Sequence, residues 1–168
     1  LNNNVNQKNL IFIFNICNFL KIDLQKIIPT LNKFKGLRFR NEIVINGKKI
    51  KVINDSKSTS FSSTQELIDT RKKTFWILGG LPKKGDKFTL SKKDCFNLRA
   101  YIFGKNAEFF VKRLKDKVHY QKFNNMISAI KKIKIDFKKE QMSNEKIILF
   151  SPASVSYTHL TLPTNVAV

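Results

Sequence analysis

Apolar positions recur along the chain with two different periods, and the switch between them divides the sequence. Residues 7–20 (with the run LIFIFNICNFL) and 22–34 (IDLQKIIPTLNKF) carry apolar side chains at helical spacing. The second helix reads as started or interrupted at Pro29. Gly36-Leu37-Arg38-Phe39-Arg40 reads as a linker, and beyond it the runs become short and β-like. Glu42–Ile45 and Lys49–Ile53 flank Asn46-Gly47, a strong hairpin signal. Alternation follows. A helix is predicted at about 62–71, with Ser63 and Glu66 spaced as a capping box, then a strand at 74–78 and a short helix near 90–97. A strand at 100–103 leads to a helix at 105–115 with Ala107, Phe110, Val111 and Leu114 on one face. A strand at 117–121, a helix at about 123–135 turning Phe123, Met126, Ile127, Ile130 and Ile133 inward, and a strand at 146–150 complete the pattern. Strands alternating with helices through short connections predict an α/β fold, a mostly parallel sheet covered on both faces. No internal repeat is visible.

Polar clusters follow four of the strands: Asn54-Asp55-Ser56-Lys57, Gly79–Lys84, Gly104-Lys105-Asn106 and Ser151–Ser154. One such cluster is an ordinary turn. Four at equivalent places in a parallel sheet fall on one edge, the carboxyl end of the strands, where α/β folds bind ligands.

Charge changes this picture less than its size suggests. The 168 residues carry a formal net charge of +20, which first points to nucleic acid or an anionic surface. The cations are 27 lysines and 5 arginines, scattered along the chain among many Asn, Ile and Phe. Nucleic-acid readers favour arginine for bidentate contacts, so the charge reads mainly as base composition of the coding DNA. A basic nucleic-acid-binding module is the alternative from another class; its stacking face would need Tyr101, Phe103 and Tyr120. Cys17 and Cys95 lack ligand partners at metal spacing and read as free buried thiols in a reducing cytoplasm. His119 and His159 belong to no triad or zinc pattern. The run Leu10–Leu20 is too short to span a bilayer, contains Asn15 and Asn18, and reads as a buried helix rather than a membrane insertion. A length of 168 residues allows one ordinary domain and a piece of another, and the initial Leu1 suggests a fragment.

A family resemblance gathers these residues. Gly36-Leu37 with Arg40, Ile53-Asn54-Asp55-Ser56-Lys57-Ser58-Thr59, Leu78-Gly79-Gly80 with Lys83, Phe103-Gly104, and Leu149-Phe150-Ser151-Pro152-Ala153-Ser154 resemble, in order, the C-terminal part of Mur ligases. The resemblance covers about residues 1–154, and its most specific element, Asn54 to Thr59, is similar to the branch that adds D-glutamate. It implies three divisions. Residues 1–35 would be a helical remnant of the central ATP-binding domain, and 36–154 a truncated Rossmann-like amino-acid-binding domain. Residues 155–168 contain no charged residue and resemble a translated sequencing adapter, where the family continues as Ser-x-Asp-x-Phe. No Gly-Lys-Ser/Thr phosphate loop occurs in the chain. The sequence departs from the family where Asn3 and Val5 replace the glycine and histidine before Asn6, and where Phe39 replaces a histidine before Arg40.

The reaction the resemblance implies is amide formation. ATP with Mg2+ phosphorylates the carboxylate of UDP-N-acetylmuramoyl-L-alanine, and the D-glutamate amine attacks the acyl phosphate. Positioning and charge stabilisation would then be the protein's work. Asn6, Arg40 and Asp55 would bind the nucleotide, with Asp55 on ribose hydroxyls and Arg40 at a hinge. Lys57 and Lys83 would act in catalysis, and Thr59, Lys83 and Lys84 would hold D-glutamate; Lys84 stands as the substitute for Lys83, since the loop Leu81–Gly85 departs from the usual pattern. Thr59 alone reads equally well as a helix cap. The complete enzyme is expected to be a cytoplasmic monomer and this piece to be inactive alone; a sister ligase or folylpolyglutamate synthase adding another amino acid is the neighbouring alternative.

Overall fold

Two runs of secondary structure of different kinds make up the protein in the computed structural model, which describes residues 4–34, 36–140 and 145–155. They fall into two units, Leu1–Gly36 and Leu37–Val168.

The first unit holds α1 (Asn4–Phe19) and α2 (Leu24–Lys33). Asp23 caps α2, its carboxylate accepting the Gln25 N–H at 2.9 Å. With that cap in place Pro29 neither starts nor ends the helix but lies inside it, where it leaves one carbonyl without its usual donor. α1 is not buried within this chain: it presents large apolar side chains outward, Phe12 at 69% and Phe19 at 85% exposure. Among the described residues no helix is long and apolar enough to cross a membrane.

The second unit is the sheet. Its elements run β1 (Glu42–Asn46), β2 (Ile50–Asn54), α3 (Phe61–Gln65), β3 (Lys73–Gly79), β4 (Leu81–Pro82), β5 (Leu98–Phe103), α4 (Ala107–Leu114), β6 (His119–Phe123), α5 (Met126–Lys139), β7 (Lys146–Phe150) and β8 (Ser154–Val155). Six strands form one sheet in the order β1-β2-β7-β3-β5-β6, in which only β1 is antiparallel. The α/β, Rossmann-like expectation therefore holds.

Side-chain alternation divides each inner strand between two cores. Trp76 and Leu78 of β3 face Phe61, Phe88, Phe110 and Leu114, while Phe75 and Ile77 face Ala129, Ile133 and Phe150 on the α5 side. Each such fully buried side chain contributes about 1.5–3 kcal/mol relative to exposure, so these two layers fix the strand ends on which the polar loops sit.

Several local expectations shift. The hairpin loop is four residues, not two: Asn46 pairs with Lys51, and the Gly47 N–H reaches the Ile50 carbonyl at 2.8 Å. A two-residue Asn-Gly turn needs positive φ, and Gly47 is not among the positive-φ residues. Residues 92–97 form successive turns instead of a helix, with Cys95, Phe96 and Leu98 each bonding three residues back. In α5 the inward stripe is Met126, Ala129, Ile130, Ile133 and Phe137, which leaves Ile127 59% exposed, and Phe123 ends β6. Cys95 is buried as expected, with its thiol pushed up to about 11 by burial, whereas Cys17 is only half-buried.

Candidate functional site

Because β2, β7, β3 and β5 run parallel, the loops that follow them share one edge of the sheet. Gly79, which ends β3, lies so near β5 that a Cβ there would meet the Phe103 carbonyl oxygen at 2.2 Å, and its φ is +149°. Only glycine allows that close approach. β4 then pairs antiparallel with β8, Pro82 opposite Ser154, which brings the loop after β3 against the segment after β7.

Three backbone ties hold the turn bearing Arg40. The Phe39 N–H donates to the Glu42 carboxylate at 2.9 Å, the Lys57 N–H to the Phe39 carbonyl at 3.1 Å, and the Asn41 N–H to the Asp55 carboxylate at 3.0 Å. Phe39 and Asn41 adopt left-handed φ of 65° and 49°. Such strained residues persist only where the surroundings over-determine them, and they cluster at functional sites. Arg40, between them, is exposed, and so is Lys57.

Asp55 itself is 5% exposed. Its second carboxylate oxygen accepts the Ser151 hydroxyl at 3.0 Å, and its own N–H bonds the Phe150 carbonyl at 2.7 Å. Burial pushes its carboxyl above the ordinary value, while the Asn41 and Ser151 donors and the Arg40 charge pull the other way. From Asp55 a chain of hydroxyls runs inward. Ser151 contacts Thr64 at 2.7 Å, Thr64 contacts Ser58 at 3.0 Å, and Ser58 contacts Ser63 at 3.0 Å. A serine has one proton to donate. The Ser151 hydroxyl donates to Asp55, while the Thr64 hydroxyl also donates to the Ser60 carbonyl at 3.2 Å, which ties the chain to the start of α3. Trp76 Nε1 bonds the Ser151 carbonyl at 2.8 Å, so Ser151 joins the ends of β2, β3, β7 and α3.

The cap of α3 is Ser60, whose hydroxyl accepts the Ser63 N–H at 3.3 Å; the predicted Ser63–Glu66 box lies too late, because the helix has ended at Gln65. Asp86 takes the first amide: the Phe61 N–H donates to its carboxylate at 2.6 Å. Thr59 is exposed between buried Ser58 and Ser60. Lys83 and Lys84 are exposed on the loop after β4. Among the described residues Arg40, Lys57, Lys83 and Lys84 enter no ion pair. The strand-end loops thus hold Arg40, Asp55, Lys57, Thr59, Lys83 and Lys84 within one unit. Asn6 lies on α1 of the other unit, and its side chain is outside the described residues, as are residues 156–168 with His159.

Glu42, Ser60, Thr64 and Asp86 carry the framework without having been singled out. Ser60 and Thr64 sit in a run of hydroxyls whose partners depend on the tertiary fold; Asp86, alone among the lysines of its loop, was the one visible signal.

Elsewhere, a cavity of about 230 Å3 opens at the start of β5 and β6, lined by Arg99, Tyr101, His119, Tyr120, Gln121 and Asp136. This is the opposite edge from the loops. The Tyr101 hydroxyl donates to Asp136 at 2.9 Å and Lys132 bonds the other oxygen at 2.5 Å. Burial opposes the charge on Asp136, but these donors outweigh it and hold the carboxyl below its usual range. Tyr101 and Phe103 are 1% and 7% exposed, which removes two of the three aromatics that a stacking face would need.

Comparison with known proteins finds named relatives of the chain. The chain is 33% identical over 153 residues to UDP-N-acetylmuramoylalanine–D-glutamate ligase of Wolbachia sp. subsp. Brugia malayi, a match covering 90% of this chain and 30% of that protein. The ligase of the same name from Francisella philomiragia is 33% identical over 156 residues, covering 90% of this chain and 36% of the relative. The chain is a homologue of these D-glutamate ligases. It spans about a third of the length of the curated relatives it matches. No family model matches it. Among the described residues no three His, Cys, Asp or Glu side chains are grouped so as to hold a metal ion.

Proposed function

We propose that the chain is the amino-acid-binding part of an ATP-dependent ligase that joins D-glutamate to UDP-N-acetylmuramoyl-L-alanine in peptidoglycan precursor synthesis. The observation that carries this reading is the set of exposed cations, Arg40, Lys57, Lys83 and Lys84, without ion-pair partners among the described residues, on strand-end loops of a D-glutamate ligase homologue.

The chemistry divides among them. ATP, when bound, supplies the phosphoryl group that turns a carboxylate into an electrophile; Mg2+ would arrive with its phosphates and be held mainly by groups outside this chain. Arg40 and Lys57, joined through the Phe39–Lys57 backbone bond, present charge to the nucleotide phosphates. Lys83 or Lys84 pairs with a D-glutamate carboxylate, and Thr59 donates its hydroxyl to the same substrate. Asp55 retains its ribose assignment, with the added task of holding the Arg40 turn through Asn41. As the amine attacks the acyl phosphate, Lys57 stabilises the charge that develops on oxygen. The chain alone lacks a phosphate loop and is expected to hydrolyse no ATP.

The test is a titration of the isotopically labelled chain with D-glutamate and, separately, L-glutamate. D-selective shifts at the amides of residues 57–59 and 82–85 are expected. Equal response to both enantiomers, or shifts confined to other loops, would overturn the reading.

A further inference from the structure

We infer that Asp86 is a positioning residue for the lysine pair of the loop after β4, an inference resting on the reading just given. Lys83, Lys84 and Gly85 are the three residues between two anchors. On one side Pro82 pairs with Ser154. On the other the Asp86 carboxylate accepts the Phe61 N–H at 2.6 Å, at the first turn of α3. The Asp86 N–H closes a turn onto the Lys83 carbonyl at 3.3 Å, and its own carbonyl accepts Arg113 Nε at 3.0 Å. Arg113 is itself held by the Phe109 carbonyl at 3.2 Å and lies 3.5 Å over the Phe109 ring. Two residues on, Phe88 is 6% exposed and packs on Phe61 and Trp76.

The loop therefore has fixed ends and an exposed crown. Gly85, at φ +77°, supplies the reversal that lets both lysines stand outside the chain between the anchors. A flexible lysine gains less from a carboxylate if its backbone must first be ordered, because that ordering costs conformational entropy. Asp86 removes that cost in advance. It also occupies the α3 amide with an internal carboxylate, so selection of an acidic substrate on this loop rests on the lysines and not on the helix end.

The experiment compares Asp86→Ala with Asp86→Asn in the full chain; Asn keeps an acceptor oxygen where Ala has none. Amide exchange at residues 83–85 should rise about tenfold or more in Asp86→Ala, with the β1–β2 hairpin unchanged, and return to near the parent rate in Asp86→Asn. D-glutamate binding should weaken about tenfold in Asp86→Ala and stay within about threefold in Asp86→Asn. Unchanged exchange at 83–85 in Asp86→Ala, or faster exchange that Asn does not rescue, would overturn the assignment. Faster exchange in Asp86→Ala with D-glutamate affinity equal to the parent's would overturn it too. If the parent chain binds no D-glutamate while the exchange pattern holds, the substrate reading fails and Asp86 remains the anchor of the lysine loop.

Discussion

Asp55 is caught between burial, which disfavours its charge, and donors from Asn41 and Ser151, which favour it; burial prevails and its carboxyl stands above the ordinary 3.8. A carboxyl raised on folding makes the folded state bind more protons than the unfolded one, so stability falls as pH rises from 3.8 through the folded value. Asp55→Asn can accept from Asn41 and contact Ser151 without ionising. The unfolding free energy of this variant relative to the parent should grow in that window and level off above it, as urea titrations at a series of pH values would report. A constant difference across the window would contradict the shift. The position of Asp55, Lys57 and the lysine pair on strand-end loops was legible because polar clusters follow the predicted strands, and Arg40 stood out through the family resemblance alone. The ties to Ser151, Glu42 and Asp86 were not, since each joins residues whose proximity depends on register or on a loop crossing, which no local pattern encodes.

At the level of elements, periodicity located every long strand and helix, with β7 at its predicted 146–150 and the ends of the others shifted. The α3 cap shows why: Ser60, Ser62, Ser63 and Thr64 all offer capping hydroxyls, and the choice among them is made by Phe61, which is fully buried and must enter the core at the first helical position. Ser60→Ala should therefore cost about 1 kcal/mol, while Glu66→Ala should stay within about 0.5 kcal/mol. Chemical denaturation of the two variants checks this, and a larger loss for Glu66→Ala would restore the later cap. The helix predicted near 90–97 failed for a related reason. Leu98, just past it, already begins β5, and of the residues before it Cys95 is drawn into the sheet core while Phe96 remains 82% exposed, so the span has too short a buried stripe to hold a helix.

For the whole molecule, both buried cores lie within the second unit, with Ile53 their earliest member. A chain of residues 37–155 should fold alone, with cooperative unfolding followed by Trp76 fluorescence, and should self-associate less than the full chain, which exposes Phe12 and Phe19. Non-cooperative melting of 37–155 would contradict this. β7, the last long strand made, lies between β2 and β3, which have no pairing with each other. During synthesis the hairpin and the β3-β5-β6 leaf must wait as two unjoined pieces, each with an open inner edge, until residues 146–150 emerge and close the sheet in a single late insertion. Chains released before residue 146 should then be sticky halves rather than a smaller stable domain, and a peptide of residues 145–155 supplied in trans should be enough to gather them.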